Sequence, residues 1–182
     1  MTARSDFTDA EWSTLVEVPV LAMLCASLAD DDSRLGYLRE VAAGSEAITR
    51  AVEKYPDNEL IAAIAWAMED EATGQAFATA MRGLSAEQMT ERLFEQCQQA
   101  MALLAEKAEP AEMSAYATWI LDIAAEVALA TSKGGILGIG GEPITREERA
   151  FLQRLADALT AIARVDGPSP SAASQPPSEQ PG

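Results

Sequence analysis

The sequence contains no histidine. Histidine is the commonest general base in enzymes and the commonest metal ligand in proteins. Its absence excludes a Ser-His-Asp triad, a Cys-His pair and every metal motif that needs an imidazole in this chain. Acid–base or metal chemistry would therefore have to rely on carboxylates.

Cysteine is almost as scarce, because Cys25 and Cys97 are the only two and no motif surrounds either. Two thiols do not form a disulfide framework in a domain of this size. Each stands in an apolar stripe of helical spacing, without a neighbouring base or cation. We therefore expect two buried, unreactive thiols.

Lysine and arginine are few, 13 against 29 aspartates and glutamates, and the formal net charge is −16. Proteins that bind phosphates need clustered Lys and Arg, and this chain has no such cluster. The composition argues against nucleic acid and anionic membranes as partners. It favours cationic partners, namely a divalent metal ion or a basic protein.

A long apolar run is also missing. The longest one, residues 18–29, has 12 residues and contains Pro19, whereas a membrane-spanning helix needs about 20. The first 17 residues carry four acidic side chains where a signal peptide would need a basic region. The sequence predicts a cytoplasmic protein without a membrane span.

What the chain does have is a set of helix-start signals. Thr8–Glu11, Ser85–Gln88 and Thr145–Glu148 match the capping-box pattern, in which two side chains satisfy the free amides of a first helical turn. Apolar residues follow at helical spacing, and no alternating stretch indicates a strand. At Pro19 we expect a kink or a new helix near Val18. The pattern predicts an all-α, compact bundle of seven to nine helices.

The bundle should span residues 1–165. Residues 166–182 contain five of the nine prolines and no side chain larger than Gln or Glu. Such a segment cannot bury enough apolar surface to offset the entropy of ordering it. We predict a single helical domain followed by a disordered Pro/Ser-rich tail.

A glycine-rich segment, residues 133–143, precedes the third capping box. Glycine permits positive φ and close approach of the backbone. We consider three roles: a structural plug with its isoleucines and leucine under the bundle, a contact with a partner or ligand, and a phosphate site, although the lysine precedes the glycines. The residues of this candidate partner loop are Lys133, Gly134, Gly135, Gly138, Gly140 and Gly141.

Two acidic positions are candidate metal ligands. Asp122 and Glu126 are four residues apart in the most apolar helical segment, so both carboxylates face the same way. If that face is buried, a cation, a metal or a proton must neutralise the pair. If it is exposed, the pair belongs to a solvated stripe. The first case predicts a carboxylate-dependent metalloenzyme in which these acids bind a metal or act as acid and base.

The other acidic candidate is Asp30, Asp31 and Asp32. The run does not fit a calcium-binding EF-hand loop in either register, because the glycine or the ligand positions fall on the wrong residues. Helix capping and a solvated turn explain it as well as a cation site does.

Two segments share a plan of buried helix, polar break and amphipathic helix: residues 20–43 and residues 124–159. This plan resembles the tellurite-resistance TerB-like helical domains. The resemblance implies a non-enzymatic cytoplasmic binding or scaffolding module linked to stress response and membrane-associated complexes. The family's acidic loop matches only Asp30, Asp31 and Asp32, because residues 131–133 and the glycines replace it at the second break.

The sequence therefore leaves three functional hypotheses. The first is a non-enzymatic acidic interaction module that binds a cation or a protein partner. The second is the carboxylate-dependent enzyme that uses Asp122 and Glu126. The third is a structural subunit of a homo- or hetero-oligomer.

Overall fold

The computed structural model describes residues 2–28, 46, 48, 50, 53–132 and 144–161. After a short 3-10 helix, Arg4–Asp6, it delimits six α-helices in these ranges and no strand. They are α1 Asp9–Leu28, α2 Glu59–Met68, α3 Glu71–Met81, α4 Ala86–Lys107, α5 Pro110–Ser132 and α6 Arg146–Thr160. The all-α prediction is confirmed. The predicted number of seven to nine helices exceeds the six delimited in this part of the chain.

At Pro19, where the sequence predicts a kink or a new helix, α1 continues without a break, so the new helix near Val18 is wrong and the kink stays a prediction. Proline lacks the N–H that would bond to the carbonyl four residues earlier, which here is that of Leu15. The phenol of Tyr116 donates a hydrogen bond to this carbonyl oxygen at 2.9 Å. A side chain of α5 thus replaces the missing backbone donor inside the core.

The predicted helix starts are confirmed. The amide of Glu11 donates to the Thr8 hydroxyl at 3.3 Å, and the amide of Thr8 donates to the Glu11 carboxylate at 2.7 Å. The same reciprocal bonds join Ser85 to Gln88 and Thr145 to Glu148. These helices begin where the local sequence satisfies their first amides.

The core lies among α1, α4, α5 and α6, which pack against one another, while α2 packs on α1. Burying a large apolar side chain stabilises a fold by about 1.5–3 kcal/mol, so these contacts dominate the stability. The largest fully buried side chains are Trp119, Tyr116, Leu15, Leu21, Leu60, Ile61, Ile64, Leu93, Leu104, Ile120, Ile123 and Leu155.

Helix α3 lies at the edge of this core, to which it contributes Met81 and the partly buried Phe77. Met81 is its only buried residue, and among the described residues its main contacts are with α2. Asp70 caps its first turn by accepting a bond from the amide of Thr73 at 2.9 Å. After α3, the chain turns at Gly83, whose φ of +84° favours glycine.

Two segments, Asp9–Leu28 and Pro110–Ala130, are long and apolar enough to span a membrane by length and composition. Core helices of soluble proteins also meet these criteria, and both segments contribute to the buried cluster. The absence of a membrane span stays a prediction, which their central position in the bundle supports.

Several sequence predictions fall outside the described residues. They concern the acidic run Asp30, Asp31 and Asp32, the glycine-rich segment from Lys133 to Pro143, and the tail of residues 166–182. The roles predicted for these segments, and the domain boundary at residue 165, stay predictions.

Candidate partner-binding groove

Asp122 and Glu126 lie side by side on α5, and each forms an ion pair with a cation from residues 50–54. Lys54 pairs with Asp122, and Arg50 pairs with Glu126. The Asp122 and Glu126 side chains keep 38% and 33% of their surface exposed. The hydrogen bond to Asp122 raises the pKa of Lys54 above its ordinary value. The two acids therefore hold the side chains of Arg50 and Lys54 against α5.

These ion pairs bear on the metal hypothesis. No group of three or more Cys, Asp or Glu side chains with the geometry to hold a metal ion occurs within residues 2–28, 53–132 and 144–161 or at positions 46, 48 and 50. The face that carries Asp122 and Glu126 is neither fully buried nor fully exposed, and Lys54 and Arg50 place positive charge beside both carboxylates. The metalloenzyme hypothesis stays a prediction, and these contacts do not favour it.

Cys25 and Cys97 are both free and buried. Burial raises the pKa of Cys25 to about 11 and that of Cys97 to about 12. Since the thiolate is the nucleophile, both thiols are poor nucleophiles near neutral pH. The expected burial of the two cysteines is confirmed.

A groove lies between α1 and α3. A cavity of about 380 Å³ is lined on one side by α1 and on the other by α3. A second cavity of about 260 Å³ shares Val20, Thr73 and Phe77 with the first. The two cavities therefore adjoin and are together called the groove, and the second is also lined by Ala65 and Met68 of α2. The first lies within the size range of ligand-binding clefts, about 300–1,000 Å³.

Helical periodicity explains how the walls arise. On α1, Trp12, Val16 and Val20 recur every four residues; on α3, Thr73, Phe77 and Ala80 recur at intervals of four and three. Residues at these spacings share one helix face. Closely packed helices have axes about 8–10 Å apart with interlocking side chains, whereas these two faces leave space between them.

Two ion pairs stand beside the apolar floor. Arg92 of α4 pairs with Glu17, whose side chain is 13% exposed, and this hydrogen bond raises the pKa of Arg92. Arg4 pairs with Asp9 and lies over the Trp12 ring at 5.1 Å. The groove thus combines an apolar floor with a few charged groups.

The helical segments beside the groove are acidic, although the two arginines of its lining balance the two acids of α1 with which they pair. Helix α1 has three acidic residues, residues 55–81 have five, and neither segment contains Lys or Arg. In the part of the chain that the structure describes, Glu59, Glu69 and Glu71 form no ion pair with Lys or Arg. Of these glutamates, Glu69 lines the second cavity, where its negative charge favours a cation.

The N-terminal segment is fastened beside the groove through Lys107. Its ammonium donates to both Glu11 carboxylate oxygens at 2.7 and 2.8 Å and to the carbonyl oxygen of Asp6 at 3.2 Å. This hydrogen bonding, with a smaller contribution from Thr8, lowers the pKa of Glu11 from its ordinary 4.5 to about 2. A lowered carboxyl pKa stabilises the fold above pH 4.5, and the stabilisation is lost as pH falls toward 2.

We predict that Lys107→Met lowers the melting temperature at pH 7 and that this difference from the wild type shrinks as pH falls from 4.5 to 2. In the variant, the pKa of Glu11 returns toward its ordinary value. Protonation of Glu11 therefore costs the variant less stability than it costs the wild type. Thermal unfolding across this pH range measures both effects. Glu11→Gln should lower the melting temperature little further in the Lys107→Met background. A melting-temperature difference between Lys107→Met and the wild type that does not depend on pH would contradict the stabilising role of this ion pair.

Sequence reasoning did not identify the groove. Its residues Trp12, Phe77 and Arg92 belong to no motif, and none was proposed as a site. One signal was present: the sequence of α3 offers few large apolar residues, so this helix cannot bury a full face against its neighbours.

Comparison of the chain with family models, with curated proteins and with solved structures gives no match. The function is therefore argued from the site itself.

Proposed function

We propose that this chain is a non-enzymatic acidic interaction module whose groove between α1 and α3 binds an amphipathic helix with Lys or Arg on its polar face, supplied by a partner protein. The two adjoining, mostly apolar cavities between these incompletely packed helices support the proposal. A helix bound in a groove presents apolar residues at helical spacing. The lining residues of α1 and α3 recur at the same spacing and can pack between them.

Charge selects the partner's polar face. The two arginines that line the groove are each paired with an acid of α1, while α1 and residues 55–81 are acidic and contain no Lys or Arg. A basic helix therefore gains from complementary potentials, whereas an acidic one is repelled. The proposal agrees in class with the binding or scaffolding role that the TerB-like resemblance implies. It also retains the predicted cytoplasmic location.

The test uses a synthetic helix of leucine and lysine, about 18 residues or five turns long, with leucines on one face. Ala76→Trp fills the groove from the side of α3. Ala78→Trp is the matched control, because both alanines are exposed, both lie on α3, and only Ala76 lines the groove. We expect Ala76→Trp to weaken binding by about tenfold or more, a loss typical of an interface centre, and Ala78→Trp to leave it unchanged.

A leucine–glutamate peptide with the same apolar pattern tests the role of charge, and it should not bind. Isothermal titration measures all combinations, and thermal unfolding verifies that both tryptophan variants fold. Equal affinity of the Ala76→Trp and Ala78→Trp variants would reject the groove as the binding site. Equal binding of both peptides would reject charge selection.

A further inference from the structure

Trp66 is the most exposed large apolar side chain among the described residues, with 78% of its surface accessible. It lies on α2 opposite the face formed by Leu60, Ile61 and Ile64, which are buried in the core. It does not line either cavity of the groove. Tryptophan is enriched at the centres of protein interfaces, and nothing in the core requires a tryptophan at this position.

The neighbours of Trp66 on its helix face are small or acidic. Ala62 and Ala63 lie one turn before it, Glu69 one turn after it and Glu59 two turns before it. Neither glutamate forms an ion pair with Lys or Arg in the described part of the chain. The small alanines leave the indole face open to a flat group, and the carboxylates favour a positively charged one.

Cation–aromatic contacts occur at several other rings in the described part of the chain. Arg4 lies 5.1 Å from the Trp12 centroid, and Arg154 lies 4.5 Å from that of Phe94. Lysines lie over two further aromatic rings, those of Tyr55 and Phe7. The Trp66 ring has no such cation in the part of the chain that the structure describes.

We propose that Trp66, Glu59 and Glu69 form a second contact surface, which binds an arginine side chain in a basic segment of a protein partner. The guanidinium stacks on the indole ring, which attracts cations through its quadrupole, while the glutamates supply opposite charge. A second copy of this chain is not the expected occupant, because a symmetric contact would bring the glutamates of both copies together. Trp66 and Glu59 line neither cavity of the groove, whereas Glu69 borders the second cavity, so the two surfaces adjoin there. The proposal does not rest on the groove's function.

The experiment titrates the protein with a short peptide of alternating arginine and glycine, which has no apolar side chains for the groove. NMR follows the indole N–H signals of the three tryptophans, and Trp66→Phe assigns the signal of Trp66. We expect this signal to move and Trp66→Ala to weaken binding by about two- to fivefold, the range of an exposed cation–π contact. Trp66→Phe should weaken binding less than Trp66→Ala does, because phenylalanine keeps an aromatic ring.

Removal of equal charge separates a local site from the field of the whole protein. Glu59→Gln/Glu69→Gln should weaken binding more than Glu87→Gln/Glu91→Gln, which removes two exposed acids from α4, one of them in its first turn, as Glu59 is in α2. Equal losses from both pairs, or an unmoved Trp66 signal, would overturn the proposal. A Trp66 signal that shifts on dilution without peptide would also overturn it, in favour of self-association.

The groove variant keeps the two proposals distinguishable. Ala76→Trp should leave binding of the arginine–glycine peptide unchanged while it weakens binding of the leucine–lysine helix. If Ala76→Trp weakens both equally, the peptide uses the groove and the Trp66 surface is rejected. If Trp66→Ala alone affects the arginine–glycine peptide and Ala76→Trp affects neither, the groove is rejected and the Trp66 surface stands.

Discussion

Replacing Tyr116 with phenylalanine should lower the free energy of unfolding by about 1–3 kcal/mol, the cost of leaving a buried polar group without its partner. The phenol is fully buried and donates to the Leu15 carbonyl oxygen at 2.9 Å. Pro19 offers no N–H to that oxygen. Phenylalanine fills nearly the same volume, so the loss reports the hydrogen bond.

Pro19→Ala provides the decisive control. Alanine restores an N–H four residues after Leu15, so the carbonyl can bond within α1 when the phenol is absent. Tyr116→Phe should therefore cost much less in the Pro19→Ala background than in the native chain. Denaturant unfolding of the four proteins of this double-mutant cycle gives the coupling free energy. Equal costs in both backgrounds would show that the phenol does not compensate for the proline.

The same contact shows where sequence reasoning reached its limit. The three capping boxes were predictable because each involves residues three positions apart, and the structure has all three. The continuity of α1 through Pro19 was not predictable, because the replacement donor, Tyr116, lies 101 residues after the acceptor Leu15. A local pattern carries no information about such a partner.

The candidate sites show the same contrast between local patterns, which the sequence reveals, and contacts between distant residues, which it does not. The spacing of Asp122 and Glu126 correctly placed both on one helix, but it could not indicate that Lys54 and Arg50 lie beside them. The groove was still harder to predict, because it forms where the facing sides of α1 and α3 do not pack closely. Periodicity reveals that a face is apolar and leaves open which neighbour covers it.

Leu104→Ala should lower the free energy of unfolding by about 2–5 kcal/mol, whereas Leu103→Ala should cost about 1 kcal/mol or less. The two leucines are consecutive on α4, and the substitutions remove the same atoms. Leu104 is fully buried in the core, but Leu103 is partly exposed and lines a shallow surface cavity. Removal of Leu104 therefore leaves a cavity in the core, while solvent already contacts Leu103.

This pair tests the orientation of α4 without an uncertain correction for helix propensity, because both changes occur in the interior of one helix. The apolar stripe of α4 places Leu93, Cys97, Met101 and Leu104 toward α1 and the rest of the core. Denaturant unfolding of both variants measures the difference. Equal losses would mean that α4 is rotated about its axis. Such a rotation would also move Arg92 away from Glu17 and open the floor of the groove, so the result bears directly on the proposed binding site.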